Sequence, residues 1–396
     1  MVAESPFLQV KVECPVCKTI NEFDQPKVGA YIEGGRDTDF CPTDIMWRNA
    51  KYQAYNPLVF FAASCSNCFY TRELTNKYRE WKDDTAFRSY RLKTIKAKHL
   101  EMLSTADSII KGLGENIDTQ RFPNESAILK LHLAVYDAQL IDHPSQLDLA
   151  RFYLRIAWLF RGLGGTENPS QMILAGLIHD IEERHSEYVK NLQSTREALN
   201  ALKKSIDDQF NADNIPAERQ SQMFSLRDGL EGGLAELESG SQHMDDKADS
   251  MKNLLNEYRA LLLGSESADG QVPYGSFESF TGLLLSLKSG WSGVAINEHE
   301  ALEQAIRFYK EAFAAGKDIG DGVQKIQASY LIAELSRRIG DYDGAKQYFT
   351  STIKAGQEYI YENRHDQSRT VLARKILELA IEQGRLNLAS AKQDNG

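Results

Sequence analysis

The sequence predicts a mainly α-helical protein with a small β module at its N-terminus, and three observations predict it. Two Cys-x-x-Cys pairs stand near the start, at Cys14–Cys17 and Cys65–Cys68. From Pro123 onward apolar residues recur at helical spacing almost throughout. Within that helical stretch, two segments step by four and three without a break, the mark of helices that pair along a seam.

Length and charge bound what such a chain can do. Its 396 residues suffice for two or three domains with a real core. With 46 basic against 56 acidic residues, a formal net charge of −10, the whole molecule is poorly suited to nonspecific binding of nucleic acid or an anionic membrane. The N-terminal residues lack a basic, apolar leader pattern, and no run approaches the roughly 18 apolar residues of a membrane span. The expectation is a cytoplasmic protein that does not insert in a membrane. All five cysteines precede residue 70, and four are paired at metal-ligand spacing, which suits a reducing compartment better than a disulfide framework.

Residues 1–75 read as a cysteine module. Leu8, Val10 and Val12 alternate with polar residues and predict a strand running into the first Cys pair, and Val59–Ala63 predicts one running into the second. Strand, turn and returning strand is the plan of a zinc ribbon. Four thiolates from Cys14, Cys17, Cys65 and Cys68 would hold structural Zn2+ with no open position for chemistry. The rival reading is two disulfides or free thiols. The 47 residues between the pairs exceed the usual ribbon spacing of about 15 to 20, and Lys18 and Phe69 stand where such turns commonly place Gly. Midway lies Cys41, in Arg36-Asp37-Thr38-Asp39-Phe40-Cys41-Pro42. It is open to three readings: an alternate zinc ligand, a redox thiol, or a small buried hydrophobe.

Residues 76–168 begin the helical part. From Arg72 to Lys98 nine basic residues outnumber four acidic ones, with Tyr78, Trp81, Phe87 and Tyr90 interleaved. This predicts a basic helix over 72–112, either a nucleic-acid contact or a solvated helix docked by its aromatics. Ile128 to Ala138 and Leu149 to Phe160 mark two amphipathic helices. On the second, Arg151 and Arg155 lie one turn apart, either structural or ready for a partner's carboxylate.

Residues 169–263 predict an antiparallel coiled-coil arm. One seam runs Leu174, Ile178, Ile181, His185, Tyr188, Leu192, Thr195, Leu199, Leu202, Ile206. The other runs Leu230, Leu234, Leu237, Ser241, Met244, Ala248, Met251, Leu255, Tyr258, Leu262, with Asn211, Asp213, Asn214 and Pro216 turning the chain between them. Such an arm would reach roughly 50 Å. Residues 264–290 read as a Gly- and Ser-rich linker and a short helix over Phe277–Leu287. In 291–396, Asn297 with Glu300 predicts a helix start, and helices follow at 298–315, 322–339, 342–356 and 366–390. Gly340-Asp341-Tyr342-Asp343-Gly344-Ala345 with Tyr348-Phe349 resembles a degenerate tetratricopeptide repeat, as do Ala305, Tyr309 and Ala312.

No Gly-rich phosphate loop, Gly-x-Ser-x-Gly elbow or His-Glu-x-x-His occurs. The densest polar cluster, His179-Asp180-Ile181-Glu182-Glu183-Arg184-His185, holds a single carboxylate–histidine step and reads as a charged helix face. The expected function is therefore not enzymatic. The residues suggest a zinc-stapled adaptor that binds other proteins, self-association through the arm being one use of it. The alternatives are a nucleic-acid binder using the ribbon and residues 72–98, and a thiol redox or zinc-sensing protein using Cys41.

Five stretches together resemble the bacterial domain-of-unknown-function family 2225: Val12-Glu13-Cys14-Pro15-Val16-Cys17, Arg36 to Cys41, Asn56-Pro57-Leu58, Cys65-Ser66-Asn67-Cys68-Phe69-Tyr70, and Leu154 to Arg161. The resemblance covers residues 1–165 well and 291–356 loosely. It implies that Cys41 is part of a family pattern with a structural or metal role, supplies no activity, and does not include the arm.

Overall fold

Strand β1 (Phe7–Glu13) pairs antiparallel with β2 (Ile20–Pro26), so that Val10 faces Phe23 and Glu13 faces Ile20. The computed structural model describes residues 5–49, 52, 55–164, 169–210, 216–264, 274 and 276–394. Two further two-stranded pieces follow, β3 (Tyr31–Glu33) with β4 (Ile45–Trp47), and β5 (Ala62–Ser64) with β6 (Thr71–Glu73). Hairpins this small are marginal in water. Here one is shored up by an aromatic cluster in which Phe7 meets Trp47, Tyr52 and Phe60 at 4.6 to 5.7 Å between centroids.

The structure is otherwise helical: α1 (Asn76–Arg79), α2 (Leu92–Ser104), α3 (Ile109–Gly114), α4 (Pro123–Gln139), α5 (Gln146–Gly164), α6 (Pro169–Phe210), α7 (Ala217–Gly264), α8 (Phe280–Gly290), α9 (Glu298–Ala315), α10 (Val323–Arg338), α11 (Tyr342–Glu362) and α12 (Gln367–Asp394). They fall into two units, one of Met1–Leu163 with Val272–Gly396 and the other of Gly164–Gln271.

In the first unit, α3, α4, α5, α8 and α9 share one core, where Tyr153 stacks on Phe308 at 5.6 Å. A second core joins α10, α11 and α12 around Tyr330, Phe349 and Ile376. The residues expected to pack closely do so: Ala305, Tyr309, Ala312, Ala345 and Phe349 are all buried. Helix α11 starts where Asp341 accepts the Gly344 N–H at 2.9 Å, and a Cβ on Gly344 would lie 2.1 Å from that carboxylate. Gly340, at φ +84°, supplies the left-handed turn before it. At α9 the cap holds with one change: Asn297 accepts the Glu300 N–H, while Glu300 reaches back to the N–H of Ile296 instead of that of Asn297.

Three expectations need correction. Val59 and Phe60 are not in a strand. Pro57 opens a 3-10 helix at Pro57–Phe60, capped by Asn56, and only Ala62–Ser64 extends. Nor is 72–112 one basic helix. Arg72 is in β6, Asp84 caps a π-turn at Phe87–Arg91 that leads into α2, and α3 starts afresh at Ser108. Tyr78, Trp81 and Phe87 are buried against the cysteine module while Tyr90 is 82% exposed. Finally, the second unit's seam is shallower than the expected one: most of its described positions are only half-buried, and Thr195, Leu202, Met244 and Met251 are exposed.

That unit contains α6 and α7, of 42 and 48 residues, each longer than the expected 50 Å at 1.5 Å per residue. They run antiparallel, tied by Arg196–Glu238 at 2.6 Å, Lys203–Glu231 at 2.7 Å and His185–Asp245 at 2.7 Å, with Phe210 against Phe224 at 4.5 Å. Leu202, Met244 and Met251 are exposed, and Lys203, Asp245 and Lys252 take the half-buried places beside them. Two helices alone offer each other a single face, so the long stems of polar residues cover what a third helix would otherwise bury. Asn211, Asp213, Asn214 and most of the 264–275 linker lie outside the described residues, as do the side chains of Leu174, Ile178, Tyr258, Leu262, His179, Asp180, Glu182 and Glu183.

One buried histidine joins distant parts of the first unit. His132 on α4 donates from Nδ1 to the Ile128 carbonyl and accepts the Ala295 N–H at Nε2, both at 3.0 Å. Only the neutral ring can do both, and burial lowers its pKa to about 4. The unfolded ring takes up a proton below its ordinary value, so the stabilisation is complete above about pH 6.5 and lost as pH falls toward 4. Between pH 7 and pH 5 denaturant titration should show the wild type losing about 2 kcal/mol more than His132→Gln; equal losses would exclude His132 as the cause.

Candidate metal centre

Each Cys-x-x-Cys pair is a tight turn built the same way. Lys18 N–H donates to the Cys14 carbonyl at 3.0 Å and Phe69 N–H to the Cys65 carbonyl at 2.9 Å; Cys14 N–H and Cys65 N–H close the turns on Thr19 and Tyr70. This geometry puts Lys18 at φ +67° and Phe69 at φ +63°, a conformation side chains adopt at a cost of about 1 to 3 kcal/mol unless tertiary contacts hold it. Those contacts are present. Lys18 lies over the Trp81 ring at 4.2 Å, and Phe69 packs where a Cβ on Gly114 would lie 2.2 Å from its ring.

The two turns interlock. Cys14 Sγ meets Cys68 Sγ at 3.7 Å and Cys17 Sγ meets Cys65 Sγ at 3.4 Å, with all four sulfurs within 4.8 Å of one another. Disulfide sulfurs would be about 2 Å apart, so the four are free thiols. A tetrahedron with metal–sulfur bonds of about 2.3 Å has edges of about 3.8 Å, and the observed spacings fit it. Cys14, Cys65 and Cys68 are buried and Cys17 half-buried. Crowding redistributes their protons. The hydrogen bonds from Cys14 and then Cys68 lower the Cys65 pKa, while those same contacts raise Cys68, and Cys14 is pushed up to about 12 by Cys65. Cys65 is thereby the readiest of the three to ionise, and a bound cation would displace the protons of Cys14 and Cys68.

Around the sulfurs is a shell that sequence reading did not anticipate. Asn21 Nδ2 points at Cys65 Sγ at 3.5 Å, and Asn21 Oδ1 accepts from the N–H and hydroxyl of Ser66. His99, fully buried on α2, donates from Nε2 to the Cys68 carbonyl at 2.8 Å and shares a proton at Nδ1 with Asp137 of α4 at 2.6 Å; Asp137 also accepts the Thr71 N–H. The turn is thereby tied to two helices. His99 follows the second Cys pair by 31 positions, and no motif marks it. Its one sequence signal is a polar residue on the inner face of an amphipathic helix.

Cys41 is not part of the four-sulfur group. It sits at the end of a turn in the long insert, closed by Asp37 N–H to the Cys41 carbonyl and by Asp39 Oδ1 accepting the Cys41 N–H. That turn docks on the helices through a buried charge network. Arg161 of α5 holds Asp39 at 2.8 Å, Asp37 at 3.0 Å and Glu298 at 2.7 Å. Arg338 of α10 holds Asp37 at 2.8 Å and Glu334 at 2.9 Å, while Thr38 donates to Glu334 and Tyr330 donates to the Thr38 carbonyl. Trp158 adds its Nε1–H to Asp39 at 3.1 Å. Asp39 and Glu334 are 0% exposed, so removing a partner would leave a charge cut off from water, which costs more than losing a surface bridge.

The structure so defines a mainly α-helical protein with a buried four-cysteine cluster suited to a metal ion. The model of one bacterial family, described as "Uncharacterized protein conserved in bacteria (DUF2225)", matches residues 7–217 and 286–372, and the chain belongs to that family. The match extends through α6, which corrects the expectation that the family pattern stops before the arm; α7 lies almost wholly outside it. No curated protein and no solved structure matches the chain.

Two outcomes follow from this geometry. Arg161→Ala leaves Asp39 buried without its main partner and should cost roughly 3 to 5 kcal/mol in denaturant unfolding; a loss below about 1 kcal/mol, the worth of an exposed pair, would contradict the network's role. Burial first, and Asp39 second, push the Cys41 thiol up to about 12, leaving only about one molecule in ten thousand as thiolate at pH 8. Native protein should therefore show far slower alkylation at Cys41 than unfolded protein, read by peptide mass spectrometry, with equal rates ruling out the protected thiol.

Proposed function

We propose that this protein is a non-enzymatic adaptor, held in shape by structural Zn2+ at Cys14, Cys17, Cys65 and Cys68 and binding other proteins through its helices. The observation that carries the reading is the closed cluster itself. Four sulfurs fill the coordination of one ion, and a site with no vacant position holds structure together instead of turning over substrate. Zinc suits it better than other first-row ions because an all-thiolate tetrahedron with no redox demand is its commonest structural setting. The tetratricopeptide-like signal in α9 to α12 and the long antiparallel pair α6–α7 supply surfaces of the kind that bind partner chains or a second copy, and the composition favours a cytoplasmic setting.

A second reading has its own support. Arg88, Arg91, Lys93 and Lys96 are exposed, as is Tyr90 in the same stretch, a combination of the kind that contacts phosphates and stacks on a base. Against it stand the acidic neighbours Glu80, Asp83 and Asp84, which line the same concavity as Arg91. A redox or zinc-sensing role through Cys41 has less behind it, because its raised pKa is the reverse of what a reactive thiol needs.

Elemental analysis of purified protein should find zinc at about one equivalent per chain, lost together with the folded N-terminal module in Cys65→Ser. Affinity purification with nuclease treatment should retain a stoichiometric protein partner or a self-associated form. Absence of zinc, or a chain that is monomeric and partnerless, would sink the adaptor reading. Retention only without nuclease would favour the nucleic-acid one.

A further inference from the structure

Between the docked insert and the helices lies a cleft of about 870 Å³, the size of a small-molecule site. One wall is the insert turn from Asp39 to Pro42, another the 3-10 helix and Phe61, and a third the stripe Arg151, Leu154, Arg155 and Trp158, which one face of α5 presents at helical spacing. All of these belong to the first unit.

The arginines of this helix differ in how they are satisfied. Arg161 is tied to three carboxylates. Arg155 has none within ion-pair distance among the described residues: one N–H donates to the Arg151 carbonyl at 3.0 Å, and the guanidinium lies over the Phe61 ring at 4.2 Å. Its other donors are unassigned, and burial holds its pKa below the usual arginine value. A planar cation half-buried against an aromatic ring, with one N–H spent on a carbonyl, has donors left for a carboxylate. The other charges around the cleft are mostly spent. Arg36 pairs with Glu33 at 2.8 Å and Asp39 with Arg161. Glu73, which also lines the cleft, lies near enough to Arg155 to offset part of its charge without pairing with it, and it would oppose a second negative charge.

We propose that the cleft binds a small aromatic or aliphatic monocarboxylate, the carboxylate on Arg155 and the apolar body among Phe61, Leu154, Tyr309 and Leu331. The lining mixes polar side chains such as Gln25, Asn56 and Gln327 with these apolar ones, and Arg155 is the anchor that sets orientation. Neither the metal centre nor a protein partner is needed for it. Because the walls come from the insert and from α5, α9 and α10, a bound ligand would also bridge the elements that the Asp39–Arg161 network already joins.

The test uses the full chain, with biphenyl-4-carboxylate as probe and the uncharged 4-biphenylmethanol as control. Calorimetric titration should show one saturable site for the carboxylate and at least a tenfold preference over the alcohol. Arg155→Gln should weaken the carboxylate at least tenfold and leave the alcohol unchanged, with Arg155→Lys falling between. Gln327→Trp, which narrows the cleft from the α10 wall and leaves Arg155 in the sequence, should remove binding of both. Thermal melting identifies any variant that fails to fold, and the other variant then decides. No saturation by the carboxylate up to about 10 mM, binding indifferent to charge, or wild-type affinity in a folded Arg155→Gln or Gln327→Trp variant would overturn the proposal.

Discussion

The contact between Asp39 and Arg161 links the two ends of the main unit, and much else is arranged around it. A carboxylate at 0% exposure is unfavourable unless fully paired. Arg161 and Trp158 from α5 and the Cys41 N–H together satisfy it. Arg161 in turn is held by Glu298 at the start of α9, and Asp37 next door by Arg338 at the end of α10. An insert with only short strands of its own is thereby fixed against three helices. Phe40, at φ +67°, packs on Tyr330 at 5.6 Å as part of the same arrangement. The four-cysteine cluster does the complementary work, closing the base from which the insert leaves and to which it returns.

Long-period features were legible in the sequence. Helices α9 to α12 lie close to where periodicity and the Asn297 and Asp341 caps put them, since apolar spacing and capping are local signals strong enough to survive folding. The cysteine pairs were legible because metal-ligand spacing has few other causes. Shorter elements were not. Three residues of β6 cannot declare themselves, and Asn56-Pro57 starting a 3-10 turn overrode an apolar run that reads as a strand. The seam of α6 and α7 was legible in its line but not in its depth. Spacing alone does not say how many helices share a core, and with two, residues such as Met244 and Met251 are left outside while Asp245 reaches across to His185.

At the site, the ligands were legible and their support was not. Asn21, His99 and Asp137 act through contacts 31 to 66 positions apart, and single polar residues at that separation carry no pattern. The charge network around Asp39 was hidden likewise, although Arg36 to Cys41 and Leu154 to Arg161 both belong to the stretches that resembled the family. Their joint presence in one pattern has a physical reason here: they touch. That contact also leaves Arg155, one and a half turns before Arg161, on the open side of the same helix, where the docked insert roofs a space without filling it.

The lengths of chain between these partners set an order of assembly. Every sulfur of the cluster has been synthesised once residue 68 is made, so all four ligands precede the helices that brace them. Asp39 is synthesised just as early, yet Arg161 follows 122 positions later and Arg338 some 300 after Thr38. Until then the insert is a loop anchored at both ends with its acidic turn in water. Domains made first generally fold first, but this one can finish only when the C-terminal helices arrive, and closing so long a loop is slow. A chain stopped before α5 would carry all four cysteines and an unclaimed Asp37–Asp39 turn, whereas one stopped before α10 would have Arg161 on that turn and lack its contacts with Arg338 and Tyr330.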